Sequence, residues 1–133
     1  MHYLLDTNIC IYIINRQPEL VIKHLSTIPY GNIFIPSITV FELRYGAAKS
    51  QFTQKNNRAI DGFLSPMKII DFDQNAAAYS AKWRAKLEKI GMTIGAYDLM
   101  IAGVAIANKM TLVTNNIREF SRITQLSLEN WVK

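Results

Sequence analysis

The chain alternates between short apolar runs and longer segments in which apolar residues recur every three or four positions. The short runs predict buried strands at residues 2–5, 33–35, 67–70 and 112–114, with a fifth indicated at 126–128. The longer segments predict helices at residues 9–14, 19–26, 37–49, 53–64, 73–90 and 96–108. Strands that alternate with helices in this way are typical of an α/β domain, with a short-stranded, mostly parallel central sheet flanked by helices.

Polar residues and glycines mark the expected ends of these helices. Thr7 or Asn8 is the expected N-cap of the first helix and Ser37 that of the third, because their side-chain oxygens accept hydrogen bonds from free backbone N–H groups. Gly91 is expected to end the long fifth helix, and Gly95 to open the sixth. No repeat, low-complexity segment or linker interrupts the pattern, so we expect a single domain over residues 1–133.

Composition narrows the class of protein. Of the 133 residues, 50% are hydrophobic, which is enough to build a core without disulfides or metal staples. Cys10 is the one cysteine, which excludes a disulfide framework and a cysteine zinc site, and its apolar helix predicts an inert buried thiol. The apolar runs fall short of the roughly 18–20 residues that span a bilayer, and the first residues lack the features of a signal peptide. We therefore expect a cytoplasmic protein that does not bind membranes.

The positions of the acidic residues are more informative than their number. Lys and Arg total 15 against 10 Asp and Glu, and the net charge of +5 favours a polyanionic partner. A carboxylate among apolar neighbours is costly to bury unless it is paired or binds a cation. Four acids stand in such surroundings: Asp6, Glu42, Asp98 and Glu119. The other six stand in polar or turn-like segments and are interpreted as surface charge.

The predicted fold brings these four acids to one place. Asp6 directly follows the first strand and Glu119 follows the fourth, while Glu42 and Asp98 lie in helices that follow loops at the sheet. Ligands of parallel α/β sheets bind at the carboxyl ends of the strands, where all four would converge. Oxygen ligands without His or Cys suit a hard cation, so Mg²⁺ is the natural choice and Mn²⁺ a substitute. Such ions assist phosphodiester cleavage, which would give the basic balance a nucleic-acid partner.

Four segments resemble, in order and at family-like spacing, the successive motifs of PIN-domain ribonucleases. They are residues 4–8 (LLDTN), 37–46 (SITVFELRYG), 94–102 (IGAYDLMIA) and 112–120 (LVTNNIREF). More narrowly, the chain resembles the VapC toxins of bacterial toxin–antitoxin pairs over nearly its whole length. The resemblance implies a PIN-like three-layer fold and Mg²⁺-dependent cleavage of structured RNA, commonly tRNA or ribosomal RNA. It also implies a cognate VapB-like antitoxin that blocks the site, and a homodimer.

The resemblance also assigns roles to individual residues. It makes Asp6 and Asp98 the main metal ligands and Glu42 the third acid. Many PIN domains carry an Asp at the place of Asn116 and a further acid at the place of Glu119. Because an amide brings no charge, we assign the fourth carboxylate to Glu119. The side chains expected to orient the carboxylates or a water are Thr7, Thr114, Asn115 and Asn116.

Two groups of residues are expected around the site. Arg44 and Lys49 are expected to flank the cleft, together with Lys55 and Arg58. Apolar residues of the first two helices are core positions by default, and they are Ile11, Tyr12, Ile14, Leu20 and Leu25. The resemblance implies a groove for the antitoxin in this same region, in which some of them would be exposed.

Each of the four acids also has an ordinary structural interpretation. Taken alone, Asp6 suits a helix N-cap and Asp98 a first-turn acid favoured by the helix dipole. Glu42 suits a solvated helix residue, and Glu119 a surface acid. The alternative functions are an inactive PIN-like module that binds RNA or a partner protein, and a metal-dependent phosphohydrolase of another substrate. The phosphohydrolase is the weaker alternative, because a dehalogenase-type phosphatase needs a second Asp where this chain has Asn8.

Overall fold

The computed structural model describes residues 1–133 and contains five strands and seven α-helices. The strands are β1 Tyr3–Leu5, β2 Ile33–Pro36, β3 Lys68–Ile70, β4 Thr111–Val113 and β5 Ser127–Glu129. The helices are α1 Thr7–Asn15, α2 Glu19–Ser26, α3 Ser37–Ala48, α4 Thr53–Leu64, α5 Gln74–Lys89, α6 Ala96–Ala107 and α7 Ile117–Phe120. Every predicted strand and helix is present, whereas the short α7 was not predicted.

All five strands run parallel, in the order β3-β2-β1-β4-β5, so that β1 lies at the centre of the sheet. Tyr3 is paired with Ile33 of β2 on one side and with Thr111 of β4 on the other. The strand order reverses at β1, because the chain first builds outward through β2 and β3 and then returns to the other side of β1. In open parallel sheets such a reversal leaves a crevice at the carboxyl ends of the strands, where ligands bind.

The short strands bury side chains on both faces of the sheet. Leu4 and Leu5 are both fully buried, Leu4 in the core with α5 and α6 and Leu5 in the core with α1 to α4. Leu112 and Val113 of β4 divide between the two cores in the same way. Successive strand side chains point to opposite faces, so each strand serves both helical layers and the predicted α/β architecture is confirmed. None of the helices combines the length and apolarity needed to cross a membrane.

Two helix starts differ from the prediction. Helix α1 begins at Thr7, so its N-cap is Asp6 and neither Thr7 nor Asn8. Helix α3 begins at Ser37 itself, with no side-chain cap. The Ser37 hydroxyl instead accepts a hydrogen bond from the Phe72 N–H group at 3.3 Å. At α1 the Asp6 carboxylate accepts a hydrogen bond from the adjacent Thr7 N–H group. At α3 the Ser37 hydroxyl meets the Phe72 N–H group of a distant segment, which local patterns do not indicate.

Part of the apolar surface of the first two helices faces outward. Ile11 is 39% exposed and Leu20 is 45% exposed, so their default prediction as core residues is wrong. Helix α1 is apolar nearly all round, but only one of its faces can pack against the sheet, and Ile9, Cys10 and Ile13 fill that face. Ile11, Ile14 and Ile22 border open grooves on the α1 to α4 side of the molecule.

Helices α5 and α6 approach so closely that Gly103 has no room for a side chain. A Cβ atom at Gly103 would collide with the Ala76 carbonyl oxygen and the Ser80 hydroxyl. The same hydroxyl donates a hydrogen bond to the Leu99 carbonyl oxygen at 2.8 Å, which joins the two helices near Asp98. Close packing at this point therefore helps to set the position of the first turn of α6.

We predict that Gly103→Ala lowers the free energy of unfolding by about 1–3 kcal/mol, because overpacking costs more than the helix propensity of Ala returns. Gly62→Ala in α4 is the matched control, since a Cβ atom there meets nothing within 4 Å. The free energy of unfolding of that variant should rise by up to about 1 kcal/mol, because Ala has a higher helix propensity than Gly. Chemical denaturation of both variants measures the difference, and equal effects would contradict the close helix contact.

Candidate metal centre

Four carboxylates gather at the carboxyl ends of the central strands. Asp6 directly follows β1, Glu119 lies in α7 after β4, and Glu42 and Asp98 lie in α3 and α6. Asp6 is only 4% exposed, and the other three are half-buried. The structure thus brings together the four acids that the sequence singled out. Their role as metal ligands stays a prediction.

Asp6 is held through both of its carboxylate oxygens. Its Oδ1 accepts a hydrogen bond from the Thr7 N–H group at 2.8 Å, which caps α1, and its Oδ2 accepts one from the Thr114 hydroxyl at 2.8 Å. Thr114 is fully buried, and its oxygen accepts a further hydrogen bond from the Asn116 N–H group at 2.9 Å. A carboxylate offers about four acceptor positions, so both oxygens of Asp6 retain capacity for a cation. Capping and metal binding are therefore compatible in this one side chain.

Glu42 is oriented by a pair of threonines. The Thr7 hydroxyl donates to Glu42 Oε1 at 2.7 Å and lies 3.0 Å from the Thr39 hydroxyl. Because Thr7 has a single hydroxyl proton and gives it to Glu42, Thr39 must be the donor in the second hydrogen bond. Thr39 is fully buried, so the Thr39 end of this arrangement is shielded from water.

Thr39 was missed by the sequence analysis. It stands between Ile38 and Val40 and was assigned no role. The available signal was its spacing, because Thr39 precedes Glu42 by three residues and side chains three apart lie on the same face of a helix. That spacing alone does not reveal the contact with Thr7, which comes from another helix.

The asparagines after β4 have different partners. The Asn116 amide donates to Glu119 Oε2 at 3.2 Å and so orients the carboxylate assigned as the fourth acid. The exposed Asn115 lies 3.4 Å from both the Tyr12 hydroxyl and the Asn130 amide, and it makes no hydrogen bond to the four carboxylates. Its expected orienting role is therefore not supported by a direct contact.

The carboxylates are close enough to disturb one another electrostatically. Burial raises the pKa of Asp98 to about 6, and the charges of Asp6, Glu42 and Glu119 add to the rise. The pKa of Asp6 is also raised, chiefly by burial, although the hydrogen bonds from Thr114 and Thr7 oppose the shift. Negative charge is therefore concentrated in this crevice against its own repulsion.

None of the four carboxylates forms an ion pair with a cationic side chain. The two ion pairs of the structure, Arg44–Asp61 at 2.6 Å and Arg84–Glu88 at 3.2 Å, exclude all four carboxylates. Arg44 was expected to flank the cleft, but its guanidinium is bound to α4 through Asp61 and Asn57. The uncompensated charge and the all-oxygen donor set both fit a hard divalent cation.

The cluster is open and does not form a closed cage. No three His, Cys, Asp or Glu side chains are gathered tightly enough to hold an ion by themselves. Mg²⁺ tolerates such a site, because it keeps several of its waters and uses only one or two carboxylates together with substrate phosphate.

The nearby Cys10 is fully buried, and burial, followed by the charge of Asp6, raises the pKa of its thiol well above the ordinary value. The expected burial of this thiol is confirmed, and its inertness stays a prediction.

Comparison with known proteins leads to one family. The model of the PIN domain matches residues 3–126. Ribonuclease VapC2 of Rickettsia felis is 48% identical over 134 residues, which cover 100% of both chains. A tRNA(fMet)-specific endonuclease VapC of Shigella flexneri is 40% identical over 131 residues, which cover 98% of both chains.

A solved structure extends this similarity to three dimensions. The crystal structure of VapBC2 from Rickettsia felis bound to a DNA fragment from their promoter matches with a TM-score of 0.92 and 46% identity. The match covers 98% of this chain and 99% of that chain. The motif order, the parallel sheet and the four gathered carboxylates agree with these similarities, and the chain belongs to the PIN-domain family, in its VapC branch.

Proposed function

We propose that the protein is a metal-dependent endoribonuclease toxin that hydrolyses phosphodiester bonds in structured RNA, such as tRNA or ribosomal RNA. The observation that carries the proposal is the gathering of four carboxylates, none of them paired with a cationic side chain, at the crevice of the sheet. The names of the relatives support it, since one is a ribonuclease and another a tRNA(fMet)-specific endonuclease. Transfer RNA is therefore the first substrate class to test.

The proposed roles follow from where each side chain is held. Asp6 and Asp98 are the main ligands for Mg²⁺, or for Mn²⁺ as a substitute, with Glu42 and Glu119 as the third and fourth acids. When bound, such an ion supplies Lewis acidity and a water of lowered pKa for in-line attack on phosphorus, leaving 5′-phosphate and 3′-hydroxyl ends. The hydroxyl of Thr114 holds Asp6 for this task, and the Asn116 amide holds Glu119.

The hydroxyl network keeps the ligand set ordered before any ion or substrate arrives. Thr7 touches both Asp6, through its N–H group, and Glu42, through its hydroxyl. A small shift of α1 relative to α3 would therefore disturb two ligands together. Such preorganisation matters because ligand side chains that must be ordered during binding reduce the affinity for the ion.

We also infer a VapB-like antitoxin as partner, and two adjoining apolar grooves support it. The larger, about 580 Å³, lies between α1, α2 and α4, and Ile22 and Phe63 are among its lining residues. The smaller, about 290 Å³, lies between α1, α3 and α4 and reaches Glu42. Ile14 lines both grooves, so an apolar segment seated in the larger one is able to continue toward the carboxylates. The VapBC assembly of the Rickettsia felis relative supports this partner class, and a homodimer stays a prediction.

We predict that Asp6→Asn and Asp98→Asn each slow RNA cleavage at least about a hundred-fold, because each removes a ligand charge from an ion that contributes several kcal/mol to the transition state. Cleavage of total tRNA and ribosomal RNA with Mg²⁺ measures the effect. Glu88→Gln is the control, since it removes an exposed carboxylate on α5 that pairs with Arg84. This variant should keep full activity, and EDTA should abolish the activity of the wild type.

Other outcomes of the same assay point elsewhere. Cleavage that survives both substitutions and chelation would overturn the metal mechanism. RNA binding by the wild type without cleavage would indicate the binding module. Release of phosphate from small esters, without cleavage of RNA, would indicate a phosphohydrolase.

We predict that Asp98→Asn stabilises the metal-free protein. The pKa of Asp98 in the folded protein is about 6, above its ordinary 3.8. The carboxyl therefore lowers the free energy of unfolding as the pH rises from 3.8 to about 6, and the loss is complete above pH 6. Near neutral pH in EDTA, the free energy of unfolding of the variant should exceed that of the wild type by about 1–2 kcal/mol, allowing for solvent screening of this half-buried group. The gain should fade as the pH falls toward about 4, where the wild-type carboxyl is protonated. Thermal denaturation in EDTA across this pH range measures it.

Mg²⁺ supplies the complementary measurement. It should raise the melting temperature of the wild type more than that of Asp98→Asn, because binding to the folded state stabilises it. Equal shifts in the two proteins would show that the ion does not bind at Asp98.

We predict that Ile22→Glu weakens antitoxin binding at least about thirty-fold, because it places a charge in the larger apolar groove. The probe is the product of a short reading frame immediately upstream, measured by titration calorimetry. Ile90→Glu is the control, since Ile90 is 62% exposed at the end of α5, on the opposite side of the sheet. Equal affinities of the two variants would show that the groove is not the docking site.

A further inference from the structure

We propose that Thr39 is a positioning residue of the metal centre, which acts through Thr7 to hold the Glu42 carboxylate in place for a divalent cation. The inference rests on the proposed function, because it concerns the affinity of the carboxylates for the ion. It adds a residue whose hydroxyl bonds to none of the four carboxylates and whose effect passes through a second hydroxyl.

The first observation is that a polar side chain is buried where an apolar one would fit. Thr39 is 0% exposed and lies in the first turn of α3. Burying a hydroxyl costs free energy unless a hydrogen bond compensates for it, whereas Val has nearly the same shape and no such cost. The hydroxyl of Thr39 therefore needs an explanation in the hydrogen bond that it makes.

The partner of this hydroxyl lies on another helix. A helical Thr commonly bonds to a backbone carbonyl oxygen three or four residues before it. Thr39 instead has one hydrogen-bond partner, the Thr7 hydroxyl of α1, at 3.0 Å. The local hydrogen bond is thus given up for a contact 32 positions away in the chain, between the two helices that carry Thr7 and Glu42.

The hydrogen bonds from Thr39 to Glu42 run in one direction. A carboxylate only accepts, so Thr7 gives its single hydroxyl proton to Glu42 Oε1, at 2.7 Å. The Thr7 oxygen is then left to accept the proton of Thr39. Each donor in such a series polarises the next, so the Thr39 hydroxyl strengthens the hydrogen bond that Glu42 receives.

Thr39 also restrains the rotation of the Thr7 hydroxyl. Thr39 and Glu42 are three residues apart on α3 and lie on the same face, and the Thr7 oxygen is bonded to both of them. A hydroxyl rotates to suit its partners, and here one partner fixes the lone pair and the other fixes the proton. Without Thr39, one of these two restraints is lost.

Glu42 depends on this support more than Asp6 does. The Thr7 hydroxyl provides the one hydrogen bond that Glu42 accepts. Asp6, in contrast, accepts hydrogen bonds from both the Thr7 N–H group and the Thr114 hydroxyl. Groups that orient metal ligands typically change metal affinity about ten- to a hundred-fold. Loss of the Thr39 hydroxyl should therefore be felt as weaker binding of the ion.

Binding of Mn²⁺ to the protein without RNA tests this role, with free Mn²⁺ measured by electron paramagnetic resonance. Thr39→Val keeps the shape of the side chain and removes its hydroxyl. We expect it to raise the Kd for Mn²⁺ about three- to thirty-fold, less than loss of a direct partner because Thr39 acts through Thr7. Thr39→Ser keeps the hydroxyl and should bind Mn²⁺ as the wild type does.

Thr111→Val is the matched control. Thr111 is also a buried threonine, 8% exposed, and its hydroxyl lies 3.3 Å from the Ser127 hydroxyl. It is the first residue of β4, at the end of the sheet away from the carboxylates. This variant removes a buried hydroxyl without touching the metal centre, so the Kd for Mn²⁺ should stay at the wild-type value.

Two backgrounds show whether Thr39 acts through the proposed series. In Thr7→Val and in Glu42→Gln the series is already broken, so adding Thr39→Val should change the Kd for Mn²⁺ by less than about two-fold. Denaturation in EDTA should show that Thr7→Val and Thr39→Val together cost less free energy of unfolding than the sum of the single variants. The double variant leaves no buried hydroxyl without its partner.

RNA cleavage separates affinity for the ion from catalysis. For Thr39→Val, the Mg²⁺ concentration that gives half the maximal rate should rise by the same factor as the Kd for Mn²⁺. At saturating Mg²⁺ the kcat should return to the wild-type value within about two-fold, because all four carboxylates are still present.

The outcomes distinguish this inference from the proposed function. If the wild type binds Mn²⁺ and cleaves RNA but Thr39→Val has an unchanged Kd, Thr39 is only a structural link between α1 and α3, and the ribonuclease proposal stands. An equal loss of affinity in the Glu42→Gln background would also overturn the inference, since Thr39 would then act by another route. If the wild type neither binds Mn²⁺ nor cleaves RNA, the proposed function itself fails, and the role of Thr39 fails with it.

Discussion

The architecture depends on keeping one nearly buried carboxylate ordered at the end of the central strand. Burial raises the pKa of Asp6, and hydrogen bonds from Thr114 and Thr7 oppose that rise. These donors come from opposite directions, one from the end of β4 and the other from the start of α1. The pairing of β1 with β4 and the first turn of α1 are therefore tied to the same side chain. A protein built only for stability would place an apolar residue here, because an isolated carboxylate is costly to bury.

The other three acids of the cluster also lower stability at the place where they are proposed to function. The charges of Asp6, Glu42 and Glu119 all act against the ionisation of Asp98. Ordinary folds relieve such repulsion with a nearby Lys or Arg, but the ion pairs of this chain lie elsewhere. Strain that a fold holds at one place and offsets elsewhere is typical of functional sites. Here the two apolar cores and the sheet between them supply the compensating stability.

Several elements were predictable because their signals are local. The pair Leu4 and Leu5, followed by Asp6, indicates a strand buried on both faces with a charge at its end, and the structure confirms the strand. The sheet and six of the helices follow from such patterns. The buried role of Thr39 was not predicted, because it depends on Thr7 of another helix. Arg44 pairs with Asp61, seventeen positions away, and no local pattern indicates that contact.

By itself, the sequence determined the α/β class, the order of the four motifs and the identity of the acids that meet at the sheet. These follow from periodicity and from the cost of placing charge among apolar neighbours, which are properties of short stretches of chain. Only the tertiary structure decided which hydroxyl holds which carboxylate, and that α5 and α6 meet at Gly103. Those contacts join residues far apart in the chain, and their distances are set by how α1, α3 and α6 pack around the ends of β1 and β4.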